Sequence, residues 1–495
     1  MNPTSNNSRS GQYLSVLLDG IAKVDAARNP LIEEASLDSR DIRPGSLFFA
    51  VPGLNDDGRS HIKSAIAAGA SAIVYESEGW QTERTDSTPQ IGVPGLSRKI
   101  SAIANVYFRQ PSKKVHVVGI TGTNGKSSCA VMTAQALESL GHRCGIVGTL
   151  GYGFPENLAP IPLTTPDAIS LQRYLAQLVS AGAQSICLEV SSHALDQSRT
   201  DGVRFGTVVF TNLSQDHLDY HRNMEEYRAA KSKLFTRTDA SHAVLNIDDD
   251  FGRSLLGRTS AEREVTYGEH SSDIQLVNCR PDNRGLSVSI RIHDQLIEVR
   301  SKLLGRISGI NLTAVAAVLH SFGISNQDIE ESLHAIEPIP GRLERICGAS
   351  HLPSVYVDYA HTPDGLQQAL NSVREITRGR MWCVFGCGGE RDKEKRPLMG
   401  TIAERLADRI IVTDDNPRNE NPETIADDIA SQLKDRPLII HDRRQAIEHA
   451  ISQAEAEDSV LIAGKGHETM QICAGKSTAF SDRLVSEELL RGHIC

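Results

Sequence analysis

The stretch VHVVGITGTNGKSS, Val115–Ser128, decides the fold of the segment around it. Val115, Val117, Val118 and Ile120 spell a short buried strand, and Gly119, Gly122 and Gly125 then permit a tight turn before Lys126, Ser127 and Ser128. In such a loop the backbone N–H groups and a helix N-terminus face an anion, a lysine neutralises phosphate oxygens, and a hydroxyl can hold Mg²⁺. Beyond it, Ala130, Val131, Ala134 and Leu137 share one helical face, and Gly141 is suited to a C-cap. The spelling departs from G-x-x-x-x-G-K-[ST]: Ile120 stands where the first glycine is expected. The alternative to a nucleotide-phosphate cradle is a purely structural turn before a helix.

Outward from this loop, bulk properties set limits. A chain of 495 residues is too long for one core and suggests three domains. With 52 Lys plus Arg against 62 Asp plus Glu, the net charge of -10 argues against nonspecific binding to nucleic acid or to an anionic membrane. The nine cysteines are scattered without a C-x-x-C pair, as expected of reduced thiols in a cytosol. The N-terminal MNPTSNNSRSGQ lacks a signal-peptide apolar core, and no apolar run approaches the ~18 residues of a membrane span. A cytoplasmic protein is expected.

The fold class expected is α/β, in three parts. Residues 1–110 form a small α/β unit containing Leu37-Asp38-Ser39-Arg40, the GSLFFAVPG segment Gly45–Gly53, a helix over 62–68, a strand over 72–75 and a surface loop over 81–90; Gln110-Pro111-Ser112 reads as a linker. Residues 111–340 alternate strand and helix in a mostly parallel sheet, with central strands at Ser185–Leu188 and Thr207–Phe210. Residues 341–495 alternate again, with strands over 382–385, 409–413, 438–440 and 460–463. Open α/β sheets place ligands at the carboxyl ends of their strands, so the loops carrying Glu189–His193, Asn212–Asp219, Asp414–Arg418 and Gly464–Glu468 are where chemistry is sought. Asn421, Pro422 and Glu423 make a good helix start. Gly386-Cys387-Gly388-Gly389 does not match G-x-G-x-x-G, which argues against a dinucleotide site.

Each candidate residue has a plainer alternative. Glu189, at a strand end, suits a Mg²⁺ ligand or an ordinary N-cap. His217 sits beside Asp216 and Asp219, and a solvated cluster is the competing reading. Ser191-Ser192-His193 lacks a G-x-S-x-G elbow, which weakens a serine-hydrolase reading. Lys231 lies in a helical stretch where nothing separates it from Lys233. The balanced charges from Glu390 to Arg396 read as a surface loop. Arg418, after Pro417 at a strand end, can present a guanidinium fork to a carboxylate, or remain a surface arginine.

Taken together, Gly122-Thr123-Asn124-Gly125-Lys126-Ser127, Thr164-Thr165-Pro166-Asp167, Glu189–His193, Asn212–His221, Asp358–Asp364 and Asp415–Arg418 occur in one order and closely resemble the Mur ligases of peptidoglycan synthesis. The resemblance runs from Leu37 to Arg483 and points within the family to the branch that adds meso-diaminopimelate to UDP-N-acetylmuramoyl-L-alanyl-D-glutamate. It implies an N-terminal domain for the UDP end of the substrate, a central P-loop ATPase and a Rossmann-like C-terminal domain. By matching motifs, Leu37, Ser39, Leu54, Asn55 and Asp56 would contact the uridine nucleotide, and Thr164, Thr165, Ser191, Gln197 and Arg199 the muramoyl-dipeptide. Gly122 to Ser128 would bind ATP phosphates, with Asn311, Arg342, Asp358 and His361 as further nucleotide contacts. Ser127, Glu189 and His217 would serve Mg²⁺, and Lys231 aligns with a lysine that is carbamylated in these ligases. Arg391, Asp415, Asn416, Pro417, Arg418, Gly464 and Glu468 resemble a diaminopimelate pocket. The resemblance makes Lys126, Glu189, His217 and Lys231 the catalytic set, and a monomer is expected. The rivals are a lysine-adding ligase of the same family, a folylpolyglutamate synthase-like ligase of related fold, and a non-enzymatic nucleotide switch.

Overall fold

The computed structural model describes residues 11–53, 56–80, 88–282, 284–349 and 351–492, and three sheets organise them. The first is parallel, its strands Glu34–Ser36, Ser46–Ala50, Ala72–Glu76 and Gln90–Val93 lying side by side in chain order. Ser46–Ala50 is buried throughout because both faces are covered, as its run of Leu47, Phe48 and Phe49 requires. Helix Ile100–Tyr107 closes one face and packs on helix Ala168–Ser180, whose Ala168 and Ile169 share its core. The Pro111–Lys113 segment is a short 3₁₀ turn that leads into the next sheet.

The second sheet has eleven strands. Six run parallel in the spatial order Cys144–Gly148, Ser185–Glu189, His116–Thr121, Thr207–Phe210, His242–Asn246 and Arg263–Gly268. His116–Thr121, the strand opening the glycine loop, thus lies between the strand that ends in Glu189 and the strand whose following loop carries His217. That crossover point is where open sheets of this kind hold ligands. The simple alternation of strand and helix expected to about residue 340 fails after Gly268. Strands Ile274–Asp282, Gly285–Ile292 and Gln295–Ser301 form an antiparallel meander instead. Its inward Leu286, Val288, Ile290, Ile292, Ile297 and Val299 alternate with polar residues at period two, which is the physical signature of a half-buried antiparallel sheet. Helix Arg306–Ser321 packs on this meander and on helix Lys126–Ser139.

The third sheet orders Glu344–Ile346, Ser354–Asp358, Ser459–Ala463, Met381–Phe385, Arg409–Val412 and Leu438–Ile439, parallel except for the first. Ser354–Asp358 is a strand that the sequence reading missed. Helix Pro422–Ala430 starts as its sequence suggests, with Asn421 Oδ1 accepting from Glu423 N–H. A hairpin, Met470–Cys473 with Lys476–Ala479, stands outside the sheet. The last helix, Asp482–Gly492, is tied in by a fully buried pair: Arg443 Nε and Nη2 donate to Asp482 Oδ1 and Oδ2 at 2.7 and 2.8 Å.

Candidate active site

The loop after His116–Thr121 folds against the Thr211-Asn212 segment of the neighbouring strand end. Thr123 N–H donates to Asn212 O, Asn124 N–H to Asn212 Oδ1, and Thr211 Oγ1 to Asn124 O, at 2.8, 2.9 and 2.6 Å. Gly122 has φ +152°, and a Cβ there would lie 1.9 Å from Thr211 Oγ1, so only glycine fits. Gly125, at φ +83°, precedes helix Lys126–Ser139, and Gly141 follows its end at φ +74°. Lys126 Nζ donates to Gly122 O and Thr123 O at 2.8 and 2.7 Å. Burial lowers the Lys126 pKa, against the opposing pull of Glu189 and Asp216.

Lys231 is not the solvated helical lysine its sequence suggests. It is 1% exposed, its Nζ donates to Gly122 O at 2.8 Å, and it lies 4.5 Å from the Tyr227 ring centroid. Burial, reinforced by the charge on Lys126, holds its pKa well below that of an ordinary lysine. Lys233, two positions on, is instead paired with Asp196 at 2.7 Å on the exposed side.

Ser127 Oγ donates to Glu189 Oε2 at 2.8 Å and accepts from Arg342 Nη2 at 2.9 Å. Glu189 also accepts from Thr149 N–H and Thr149 Oγ1 at 2.9 and 3.0 Å. A cavity of about 210 Å³ opens here, lined by Thr123–Ser128, Glu189, His217, Lys231, Asn311, Arg342, Asp358 and His361. Apart from Gly122, whose carbonyl holds both lysines, every residue expected at ATP lines this one space. Asp358 turns its carboxylate inward to Leu343 N–H and Ala360 N–H, which fixes the turn that presents His361. His217, in a left-handed turn at φ +57°, has a pKa lowered to about 3, chiefly by burial, against the opposing pull of Asp216.

Three residues of this site stand in the sequence only as members of a longer motif or charge run and were given no role of their own, because long-range packing alone reveals what they do. Asp216 is buried, with His217 Nε2, His361 Nε2 and Lys395 Nζ at 3.3, 3.9 and 4.0 Å. Burial would raise its pKa, yet His217, Lys395 and His361 hold it below the usual carboxylate range. Asp364 accepts from Asn124 Nδ2 at 2.9 Å, which joins the glycine loop to helix Pro363–Arg374. Lys395 and Arg396 correct the expectation of a surface loop over 390–396. Helix Lys395–Leu406 begins there and both side chains are buried, Arg396 against Glu420 and Asp428.

Models of known families match almost end to end: the Mur ligase family catalytic domain over 31–107, the Mur ligase middle domain over 120–319 and the Mur ligase glutamate ligase domain over 341–466. The chain belongs to the Mur ligase family. A curated relative, the UDP-N-acetylmuramoyl-L-alanyl-D-glutamate–2,6-diaminopimelate ligase of Pseudomonas syringae pv. tomato, is 46% identical over 92% of this chain and 94% of its own length. A solved structure of a ligase of that name superposes with TM-score 0.70 at 32% identity, covering 98% of this chain and all of that one. The MurF ligase from Thermotoga maritima in complex with ADP, 17% identical, shares the fold with TM-score 0.64 over 95% of this chain and 98% of that one.

In this Mur ligase the residues expected at the muramoyl-dipeptide form one connected set beside Glu189. Thr164 Oγ1 is 3.0 Å from Thr149 Oγ1, Thr165 Oγ1 donates to Glu189 O at 2.7 Å, and Arg199 donates to Thr165 O and Gln197 Oε1 at 2.8 and 2.6 Å. Ser191 Oγ caps the short helix Ser192–Asp196, and Ser192 Oγ contacts His221 Nε2 at 2.9 Å; this leaves no hydrolase-type serine–histidine pair in Ser191–His193. Leu37, Ser39 and Asp56 belong to the loops of the first sheet and do not line the cavity; Asp56 pairs with His61 at 2.7 Å. Leu54 and Asn55 lie outside the described residues.

The remaining expected residues gather at the carboxyl ends of the third sheet. Arg418, at φ +56°, donates through Nη1 to Gly389 O at 2.7 Å. Burial, and after it the neighbouring Arg391, lowers its pKa. Asn416 Nδ2 donates to Glu468 Oε2 at 2.8 Å, and the fully buried Lys465, another residue not singled out in the sequence, reaches Asn416 Oδ1 and Glu468 Oε2 at 3.1 and 2.8 Å. Gly464 has φ +115°, and a Cβ there would meet Asp415 Oδ2 at 2.5 Å. Pro417 O closes on Gly389, where a Cβ would be 1.9 Å away, so Gly389 serves loop packing.

Proposed function

We propose that this ATP-dependent ligase joins meso-diaminopimelate to the D-Glu γ-carboxylate of UDP-N-acetylmuramoyl-L-alanyl-D-glutamate, in the cytoplasmic assembly of peptidoglycan precursors. The observation that carries the reading is the Asp415–Arg418 loop, where Arg418 Nη1 and Arg391 Cγ both flank Gly388, 3.0 and 3.7 Å from where a Cβ on it would lie, in a chain 46% identical to a relative named for that reaction. Two neighbouring guanidinium groups favour an anion, and diaminopimelate differs from lysine by a second carboxylate. The match over 31–107 supports it over the folylpolyglutamate alternative, and the match over 341–466 over a simple nucleotide switch.

The chemistry follows from what a carboxylate cannot do unaided. Its oxygen is a poor leaving group, so the γ-carboxylate first attacks the γ-phosphorus of ATP, the bond to the bridging oxygen breaks, and ADP leaves behind an acyl phosphate. The diaminopimelate amine, deprotonated, then adds to the acyl carbon; the tetrahedral adduct loses inorganic phosphate and a proton, leaving the amide. Lys126 and Arg342 stabilise the charge that builds on the transferred phosphoryl group. Thr164, Thr165, Ser191, Gln197 and Arg199 orient the dipeptide, Leu37, Ser39, Leu54, Asn55 and Asp56 hold the uridine nucleotide, and Asp415 to Arg418 with Arg391, Gly464 and Glu468 receive the incoming amino acid.

Among the described residues no group of three or more His, Cys, Asp or Glu side chains converges as a metal cage. The Ser127 hydroxyl 2.8 Å from Glu189 does fit Mg²⁺, which takes one or two protein oxygens and completes its shell with phosphates and water. Ser127, Glu189, His217 and a carbamate on Lys231 would hold it, and when bound it supplies charge neutralisation at the ATP phosphates. The depressed pKa of Lys231 favours that carbamate, because the neutral amine is the form that adds to CO₂ and releases a proton. We place the domain boundaries at 1–110, 111–340 and 341–495, and expect a monomer.

Phosphate release, measured with both the UDP-muramoyl-dipeptide and meso-diaminopimelate and with each omitted, tests the proposal. Strict dependence on both is expected. Release indifferent to either overturns it.

A further inference from the structure

Arg418 is a non-glycine residue in the left-handed region, and something must hold it there. The hairpin Met470–Ala479 does so by main-chain pairing. Arg418 N–H donates to Ile472 O at 3.0 Å and Ala474 N–H to Arg418 O at 2.5 Å, so that Arg418 and Cys473 form a parallel bridge. Side chains reinforce it: Ile472 N–H donates to Asn416 Oδ1 at 3.0 Å, and Gln471 Nε2 donates to Asp414 O and Asp415 O at 3.2 and 2.9 Å. The hairpin adds little to any core. Met470 and Ile472 are 42% and 37% exposed, and the outer strand Lys476–Ala479 is exposed throughout. Its contacts go instead to the Asp414–Arg418 loop.

The turn fixes the use of the arginine. Nη1 is occupied by Gly389 O and Asn416 O, while Nε and Nη2 make no hydrogen bond among the described residues. A guanidinium in this state, half-buried beside a second arginine, has donors left for a carboxylate. We propose that the hairpin Met470–Ala479 is a specificity element: by templating the left-handed turn at Arg418 it sets the enzyme's preference for an amino acid bearing a distal carboxylate, with Gln471 as the principal positioning residue. This rests on the assignment of the Asp415–Arg418 loop to the amino-acid substrate.

The test uses the full-length enzyme with Gln471→Met, which removes the amide donors at nearly equal length, and Ile472→Pro, which removes the N–H given to Asn416. KM is measured for meso-diaminopimelate, L-lysine, ATP and the UDP-muramoyl-dipeptide, alongside melting temperature. A rise of about tenfold in KM for diaminopimelate in either variant, with the two nucleotide KM values within twofold and a reduced preference over lysine, is expected. Adding Arg418→Ala to the affected variant should raise KM by less than it does in the native enzyme, because both changes act through one group. An unchanged diaminopimelate KM in both variants, or a parallel rise in all KM values with loss of melting temperature, overturns the proposal. If the unaltered enzyme does not consume diaminopimelate at all, the functional assignment itself fails, and the two failures are distinguishable.

Discussion

Lys126 and Lys231 donate to one acceptor, the carbonyl oxygen of Gly122, each at 2.8 Å. Two ammonium groups on one oxygen repel, and burial together with the charge on Lys126 holds the Lys231 pKa well below that of an ordinary lysine. We predict that Lys231 of the active enzyme in bicarbonate carries one added CO₂ by peptide mass spectrometry, and that Lys231→Ala lowers kcat by on the order of 10²–10³-fold. An unmodified lysine in fully active protein would refute the carbamate.

Arg418→Ala removes a charged fork while leaving the glycine loop intact. A hydrogen bond to a charged group is worth about 1.5–3 kcal/mol, so KM for diaminopimelate should rise about 10- to 150-fold. ATP affinity, followed by calorimetry, should stay unchanged; equal amino-acid affinity in variant and parent would remove Arg418 from the pocket.

Gly122→Ala places a methyl group where Thr211 Oγ1 now sits 1.9 Å away, at a φ of +152° that alanine rarely adopts. The loop must shift, taking the carbonyl that holds both lysines with it. Loss of measurable ATP binding and about 1–3 kcal/mol of stability are expected from calorimetry and denaturant titration. Normal nucleotide affinity would show that the loop accommodates the change.

Asp364→Ala breaks the 2.9 Å bond from Asn124 Nδ2, the link between the glycine loop and helix Pro363–Arg374. A rise in KM for ATP of about tenfold is expected, with the diaminopimelate KM untouched. Asp364→Asn keeps an acceptor oxygen and should recover most of the loss; failure to recover would mean that the charge, not the bond, matters.

Stability should fall on mild acidification. Burial lowers His116 to about 4 and His467 to about 3, from an ordinary value of 6.5. Their folded pKa values are depressed, so the unfolded chain binds more protons between about pH 6.5 and 4. The stability they contribute is complete above pH 6.5 and is lost progressively as pH falls through their folded values. Thermal melts from pH 7.5 to 4.5 should show a decline starting near pH 6.5, less steep in His116→Asn; a flat profile down to pH 5 would contradict it.

The parts of the fold written in local sequence were legible. Val115–Ser128 makes the strand, turn and helix that its glycines and apolar spacing demand, and Gly141 and Asn421 sit at the helix ends where their chemistry puts them. What escaped depended on distant partners. Lys231 and Lys233 look alike in sequence, and only packing against the Gly122 loop buries the first. Lys395 reads as one charge in a solvated run until Asp216, far away in the chain, is brought to 4.0 Å. The antiparallel meander was visible as period-two alternation at Leu286, Val288, Ile290 and Ile292, but the expectation of parallel units masked it. In the described residues, Leu37, Ser39 and Asp56 lie apart from the cavity, and it was the family resemblance, with no local signal, that singled them out.

The buried Arg443–Asp482 pair has a practical consequence for anyone shortening or tagging this chain. Besides binding Asp482, Arg443 donates to Ala463 O at 2.9 Å and to Asp414 O at 3.5 Å, the carbonyls at the roots of the Asp415–Arg418 and Gly464–Glu468 loops. A truncation reaching residue 482 would therefore strand a cation inside the protein and loosen the floor beneath Asp415 and Gly464. The final helix works as a foundation for two loops that it need not touch, and C-terminal fusions should begin only beyond it.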